Sequence, residues 1–150
     1  MSWGVGVTHS RPLVIGLTGS IAMGKSETAQ MFRRLRVPVF DADAEVHRLI
    51  GKGGPAVAAV GAAFPSAIRG EVIDRQVLGE HIFANSSGLQ ALEGILHPLV
   101  ANARSRFLNR ACASRVAIVV VDVPLLFETG GEHCCDAVVV VSAPGFLQRQ

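Results

Sequence analysis

The chain has 150 residues, 49% hydrophobic and 17% charged, which gives one domain a sizeable core and excludes a disordered or highly charged tail protein. Its net charge of +2, carried by twelve Arg and two Lys scattered along the sequence, forms no polybasic patch and argues against a nucleic-acid partner. The longest apolar run, 116–127, is broken by Asp122 and Pro124 and is too short for a bilayer, so no membrane association is expected.

Residues 1–11 read as a loose leader. Thr8-His9-Ser10-Arg11 interrupts any apolar signal segment, and the expected compartment is cytoplasmic. Leu13–Thr18 is a continuous apolar run ending at Gly19, as a buried strand should be. From Gly24 to Leu35 the pattern is helical, with Ala29, Phe32 and Leu35 as its apolar positions. Val37–Phe40 is a short second strand ending at Asp41. A helical block then runs from about 44 to 112, with helices expected at 44–50, 55–63, 74–83, 88–96 and 98–111. Pro98 suits the first turn of a helix, so the last two are expected to be separate. Val116–Asp122 and Ala137–Ser142 return as strands of the kind buried on both faces. The seven Phe residues, at 32, 40, 64, 83, 107, 127 and 146, read as core.

This order describes an α/β domain over 12–150, with a mainly parallel sheet, flanking helices and a helical insert, too large for a simple crossover, that forms a subdomain or cap. Another helix is expected to begin near 145, and the sequence stops at 150 before completing it, so the chain looks cut there. Three cysteines, Cys112, Cys134 and Cys135, cannot all pair, and a reducing compartment keeps them as thiols. His133 lies beside the adjacent Cys134-Cys135, but that spacing is not one a structural zinc prefers, and ordinary packing explains it better.

Gly19-Ser20-Ile21-Ala22-Met23-Gly24-Lys25-Ser26 matches G-x4-G-K-[ST], the Walker A pattern. Roughly 0.002 matches would arise by chance at this composition, and the motif follows a strand and opens a helix, the context that identifies a phosphate-binding loop. Gly19 and Gly24 permit the turns that aim successive N–H groups at phosphate oxygens, and the helix dipole adds positive potential. Lys25 neutralises the β- and γ-phosphates of a nucleotide, and Ser26 offers a hydroxyl to Mg2+. Asp122 ends a strand at the carboxyl edge of the sheet, where open α/β folds place their ligands. It is suited to hold Mg2+, directly or through water, with a strand-ending cap as the plain alternative. Asp41 and Asp43 follow the second strand. Either can accept a hydroxyl proton or hold an acceptor sugar, although N-capping of the helix from Ala44 explains Asp43 equally well. On spacing alone, Arg75 reads as a solvated helix start, His97 as a packed or capping histidine, and Glu128 as a loop charge.

Together these residues resemble the dephospho-coenzyme A kinase family, over about 13–150. The resemblance rests on Gly16-Leu17-Thr18-Gly19 leading into the loop, Asp41-Ala42-Asp43, Ile73-Asp74-Arg75 with Leu78, Leu92–Pro98, Asp122–Glu128 and the 138–141 strand. It implies a P-loop fold and transfer of the ATP γ-phosphoryl group to the ribose 3′-hydroxyl of dephospho-CoA. By position it implies that residues 19–27 (Gly19, Ser20, Ile21, Ala22, Met23, Gly24, Lys25, Ser26 and Glu27) bind ATP, and that Ser26 and Asp122 serve Mg2+. Asp41 or Asp43 would be the base. Asp43, Arg75, His97, Pro124 and Leu125 would shape the acceptor side, together with Leu126. Three departures stand out: Ala22 where the family has Gly, Glu27 where it has Thr, and an end some fifty residues short, before an Arg-bearing lid. A Cβ at position 22 costs ~1 kcal/mol if φ is positive there, and Glu27 brings a negative charge to the loop. Two alternative readings are a P-loop kinase acting on a nucleoside or nucleotide, and a nucleotide-binding module without turnover.

Overall fold

The computed structural model describes residues 11–19, 24–123 and 134–142. The chain divides into two compact units, one comprising Met1–Asp41 and Arg106–Gln150, the other Ala42–Ser105. Helix α5 (Ser86–Ala113) runs from the second into the first.

The first unit is built on a parallel sheet of β1 (Leu13–Gly19), β2 (Val39–Asp41), β5 (Ile118–Asp122) and β6 (Ala137–Val141), in the order β2-β5-β1-β6. The chain leaves β1 through α1 (Lys25–Arg34) and returns as β2 two positions away, and β5 later fills the gap. The register aligns Ile15, Val120 and Val39, and then Leu17, Asp122 and Asp41. Residues level with one another in a sheet share a face, and residues two apart along a strand return to it. All six therefore lie on one face. That face packs on α1: Leu17, Val120 and Ala29 are buried together, with Ile15, Phe32 and Val39 against them. On the opposite face Val119 and Val121 are buried beside Phe40, whose ring meets Phe107 of α5 at 5.6 Å.

The second unit packs α2 (Ala42–Leu49), α3 (Val57–Ala63), α4 (Arg75–Ala84) and the first part of α5 around Leu49, Val60, Phe64, Ile73, Leu78, Leu92 and Leu96. A hairpin of β3 (Ile68–Arg69) and β4 (Val72–Ile73) follows a 3-10 turn at Pro65–Ala67. Its strands are two residues each, too short to show an alternating pattern in the sequence. No helix among the described residues is long and apolar enough to cross a membrane.

Several expectations are corrected. Residues 88–111 are not two helices: α5 is continuous for 28 residues with Pro98 inside it. A mid-helix proline costs about 3 kcal/mol. Burial of Leu92 and Leu96 before it, with Leu99 and Val100 packed after it, offsets that at roughly 1.5–3 kcal/mol per fully buried Leu. Helix α2 starts at Ala42, so Asp43 lies in its first turn and is not its N-cap. Leu35 is the C-cap of α1 and is 74% exposed, because the chain leaves the helix in a Schellman turn. There Val37 N–H donates to Phe32 O and Arg36 N–H to Arg33 O, with Arg36 left-handed at φ 61. Phe83 is 92% exposed, not core: five residues on from buried Leu78, it points about 140° round α4. Strand β6 is only partly buried, with Val140 exposed, since among the described residues it pairs on one side alone. Of the expected leader only Arg11 is described, and the tail beginning near 145 lies outside the described residues.

Candidate active site

Gly24 caps α1 in a left-handed conformation (φ 86, ψ 16), a geometry that a side chain resists. It puts Lys25 at the first helical position. Gly19 is required for a different reason: a Cβ there would lie 2.6 Å from the carbonyl oxygen of Val141 on β6. The residues between, Ser20, Ile21, Ala22 and Met23, lie outside the described ones. So do Pro124, Leu125, Leu126 and Glu128.

Lys25 Nζ stands 2.8 Å from Asp122 Oδ1, with the two side chains 11% and 7% exposed. The two charges are in direct ionic contact. Asp122 is the last residue of β5 and Asp41 the last of β2, paired in register on the face that α1 covers. Two carboxylates thus end adjacent strands, one of them paired with the lysine that starts α1. Such a cluster is costly to bury without further charge compensation, and its donors suit a polyanion on the lysine and a divalent cation on the carboxylates. Ser26, exposed in the first turn of α1, adds a hydroxyl. Glu27 is held toward Arg34, 3.5 Å away and two turns down the helix, so its charge is drawn away from the loop end.

The other sequence-predicted residues lie in the helical unit, on three different helices. Asp43 is exposed in the first turn of α2. His97 is exposed in the middle of α5, neither capping nor packed. Arg75 is the first residue of α4, behind an N-cap, Asp74, whose carboxylate accepts from the N–H groups of Gln76 and Val77. The Val77 N–H and Arg69, 3.0 Å away, hold the Asp74 carboxyl below its usual range. Arg75 itself donates to His47 Nδ1 at 2.5 Å. Sequence reasoning missed His47: an exposed histidine on an amphipathic helix carries no signal of a partner 28 positions later.

At the other end of the sheet, Arg11 grips Asp136 with two hydrogen bonds of 2.9 and 2.6 Å, and Asp136 also accepts from Val14 N–H at 2.8 Å. Arg11 chiefly, then that N–H, bring the Asp136 carboxyl down to about 2. This cluster registers β6 against β1 and is distinct from the site. Among the described residues no group of three or more His, Cys, Asp or Glu is arranged around a metal position.

A parallel sheet in this order, with a lysine heading the helix after its first strand and an acidic residue ending the neighbouring one, defines a P-loop nucleotide-binding α/β protein. The dephospho-CoA kinase family profile matches residues 13–149. The chain is 57% identical over 135 residues to a dephospho-CoA kinase of Paramagnetospirillum magneticum, covering 90% of this chain and 64% of that protein. It is 58% identical over 139 residues to one from Rhodospirillum rubrum, covering 92% and 66%. Among solved structures, a Thermus thermophilus protein superposes with a TM-score of 0.79 at 34% identity, over 89% of this chain and 67% of that one. The dephospho-CoA kinase of Campylobacter jejuni, at 22% identity and a TM-score of 0.66, covers 85% and 64% and shares the fold. The chain therefore belongs to the dephospho-CoA kinase family. It spans just under two thirds of the length of the first two relatives.

Proposed function

We propose that the protein transfers the γ-phosphoryl group of ATP to the ribose 3′-hydroxyl of dephospho-CoA, giving CoA and ADP in the last step of coenzyme A biosynthesis. The observation that carries this reading is the buried Lys25–Asp122 pair, with Asp41 level with Asp122, at the strand ends beside the Walker A motif of a chain in this family. In this reading residues 19–27 cradle the phosphates and Lys25 leaves Asp122 to neutralise them. Ser26 and Asp122 would hold Mg2+, which when bound spreads the charge of the β- and γ-phosphates.

Either Asp41 or Asp43 takes the proton of the 3′-hydroxyl as its oxygen bonds to the γ-phosphorus. The bond from that phosphorus to the bridging oxygen breaks, and ADP leaves. Asp43, Arg75, His97, Pro124 and Leu125 serve the acceptor. Positioning and charge neutralisation supply the rate, and no covalent nucleophile is needed. The reading assigns the protein to the cytoplasm.

Calorimetric titration of dephospho-CoA, with adenosine and AMP as comparators, tests this reading. Selective binding of dephospho-CoA is expected. A preference for adenosine or AMP would replace the reading with a nucleoside or nucleotide kinase.

A further inference from the structure

Both terminal nitrogens of Arg75 are directed at one residue: Nη1 to the ring Nδ1 of His47 at 2.5 Å, and Nη2 to the His47 backbone carbonyl at a longer 3.5 Å. Arginine only donates, so His47 Nδ1 is the acceptor and the ring carries its proton on Nε2. Both side chains are exposed, on α2 and α4 of the helical unit. An exposed arginine otherwise samples many rotamers, and whatever orders it must remove that entropy. Here the histidine has already ordered it. Of the five N–H donors of a guanidinium, two face His47, leaving the Nε and one hydrogen on each terminal nitrogen for a ligand.

We propose that His47 is a positioning residue that pre-orders Arg75 as an anion-binding fork for the phosphates of the acceptor. The inference rests on the reading of Arg75 as an acceptor-side group. It assigns His47 no contact with substrate. Fixing the fork before binding lowers the ordering cost, so the effect falls on acceptor affinity and not on ATP affinity.

The test measures binding of dephospho-CoA and, separately, of ATP to the wild-type chain and to Arg75→Ala, His47→Ala and His47→Asn, each checked for an unchanged melting temperature. Asn places an acceptor oxygen near the position of Nδ1, so it is the conservative rescue. Expected are losses of about tenfold in dephospho-CoA affinity for Arg75→Ala and His47→Ala, recovery in His47→Asn, and unchanged ATP affinity throughout. Nitrogen-15 NMR of the wild-type imidazole should show the Nε2–H tautomer for His47. If Arg75→Ala weakens dephospho-CoA binding while His47→Ala does not, the inference is overturned and the acceptor role of Arg75 stands. If Arg75→Ala binds dephospho-CoA as tightly as wild type, that role fails and the inference with it. An Nδ1–H tautomer for His47 would also overturn the inference.

Discussion

The two units treat the charges proposed for the site in opposite ways. In the sheet-bearing unit, Lys25 and Asp122 are nearly sealed from water and held by backbone position: one starts α1, the other ends β5. In the helical unit, Asp43, Arg75 and His97 are exposed, and among the described residues the contact that orders Arg75 comes from a neighbouring side chain, His47. Buried charges need compensation from a partner or a ligand, so a phosphate site built this way couples stability to nucleotide binding. Exposed charges cost the fold little, and they can be tuned for an acceptor without threatening it.

The largest effect that separates the two regimes comes from breaking the buried pair. Asp122→Ala strands the Lys25 ammonium and should lower stability by about 3 kcal/mol, read by urea denaturation. Combining it with Lys25→Met should recover much of that loss while abolishing ATP binding. Arg75→Ala and His97→Ala should each shift stability by less than about 0.5 kcal/mol, as surface substitutions do. Equal losses in both units would erase the distinction.

Next in size is a pair of glycines. In Gly19→Ala the new methyl meets the rigid Val141 carbonyl at 2.6 Å, so a loss of about 1–3 kcal/mol is expected, together with weaker ATP binding. In Gly61→Ala, within α3, the methyl meets the Ile68 side chain, its Cδ1 at 2.5 Å and its Cγ1 and Cβ at 3.5 Å, and a turn of the Ile68 end relieves the clash without moving backbone. The helix gains up to about 1 kcal/mol in propensity there, so thermal unfolding should show little change or a small gain.

Acid sharpens the comparison further. The Asp136 carboxyl is brought down to about 2, mainly by Arg11. Its contribution to stability is therefore complete above the unfolded value near 4, and is lost as pH falls from there through about 2. Asp74 in the helical unit is also lowered, chiefly by the Val77 N–H, and acts in the same direction. Arg11→Ala should flatten the pH 4-to-2 loss for Asp136 and leave that of Asp74 in place, measured by unfolding at stepped pH. A further small effect belongs to Arg36 and Arg115, both left-handed at helix ends (φ 61 and 55). Replacing either by Gly should stabilise by no more than about 1 kcal/mol in a melting experiment.

The same contrast governs how much of the molecule could be read from the sequence. The β1–loop–α1 segment was legible because Gly19, Gly24 and Lys25 are each required by local backbone or charge, and the β-branched runs of β5 and β6 marked strands of a parallel sheet. Asp122 was legible because it ends such a run. What escaped depends on distant packing. Pro98 read as a helix start because nothing local reveals that Leu92, Leu96 and Leu99 are packed along one continuous helix. Leu35 read as a position of the apolar face of α1, and Phe83 as core, because apolar spacing does not tell which turn has already left the helix or faces outward. The Schellman ends of α1 and α5 place Arg where glycine is the usual signal, and the hold of His47 on Arg75 joins two helices with no shared pattern.

The most direct test of the buried pair as the nucleotide site is ATP affinity with and without Mg2+, for wild type and Asp122→Asn. Mg2+ should tighten ATP binding to the wild type by at least tenfold, and Asp122→Asn should lose that dependence while still binding ATP without metal through Lys25. An Asp122→Asn variant with wild-type Mg2+ dependence would contradict the account.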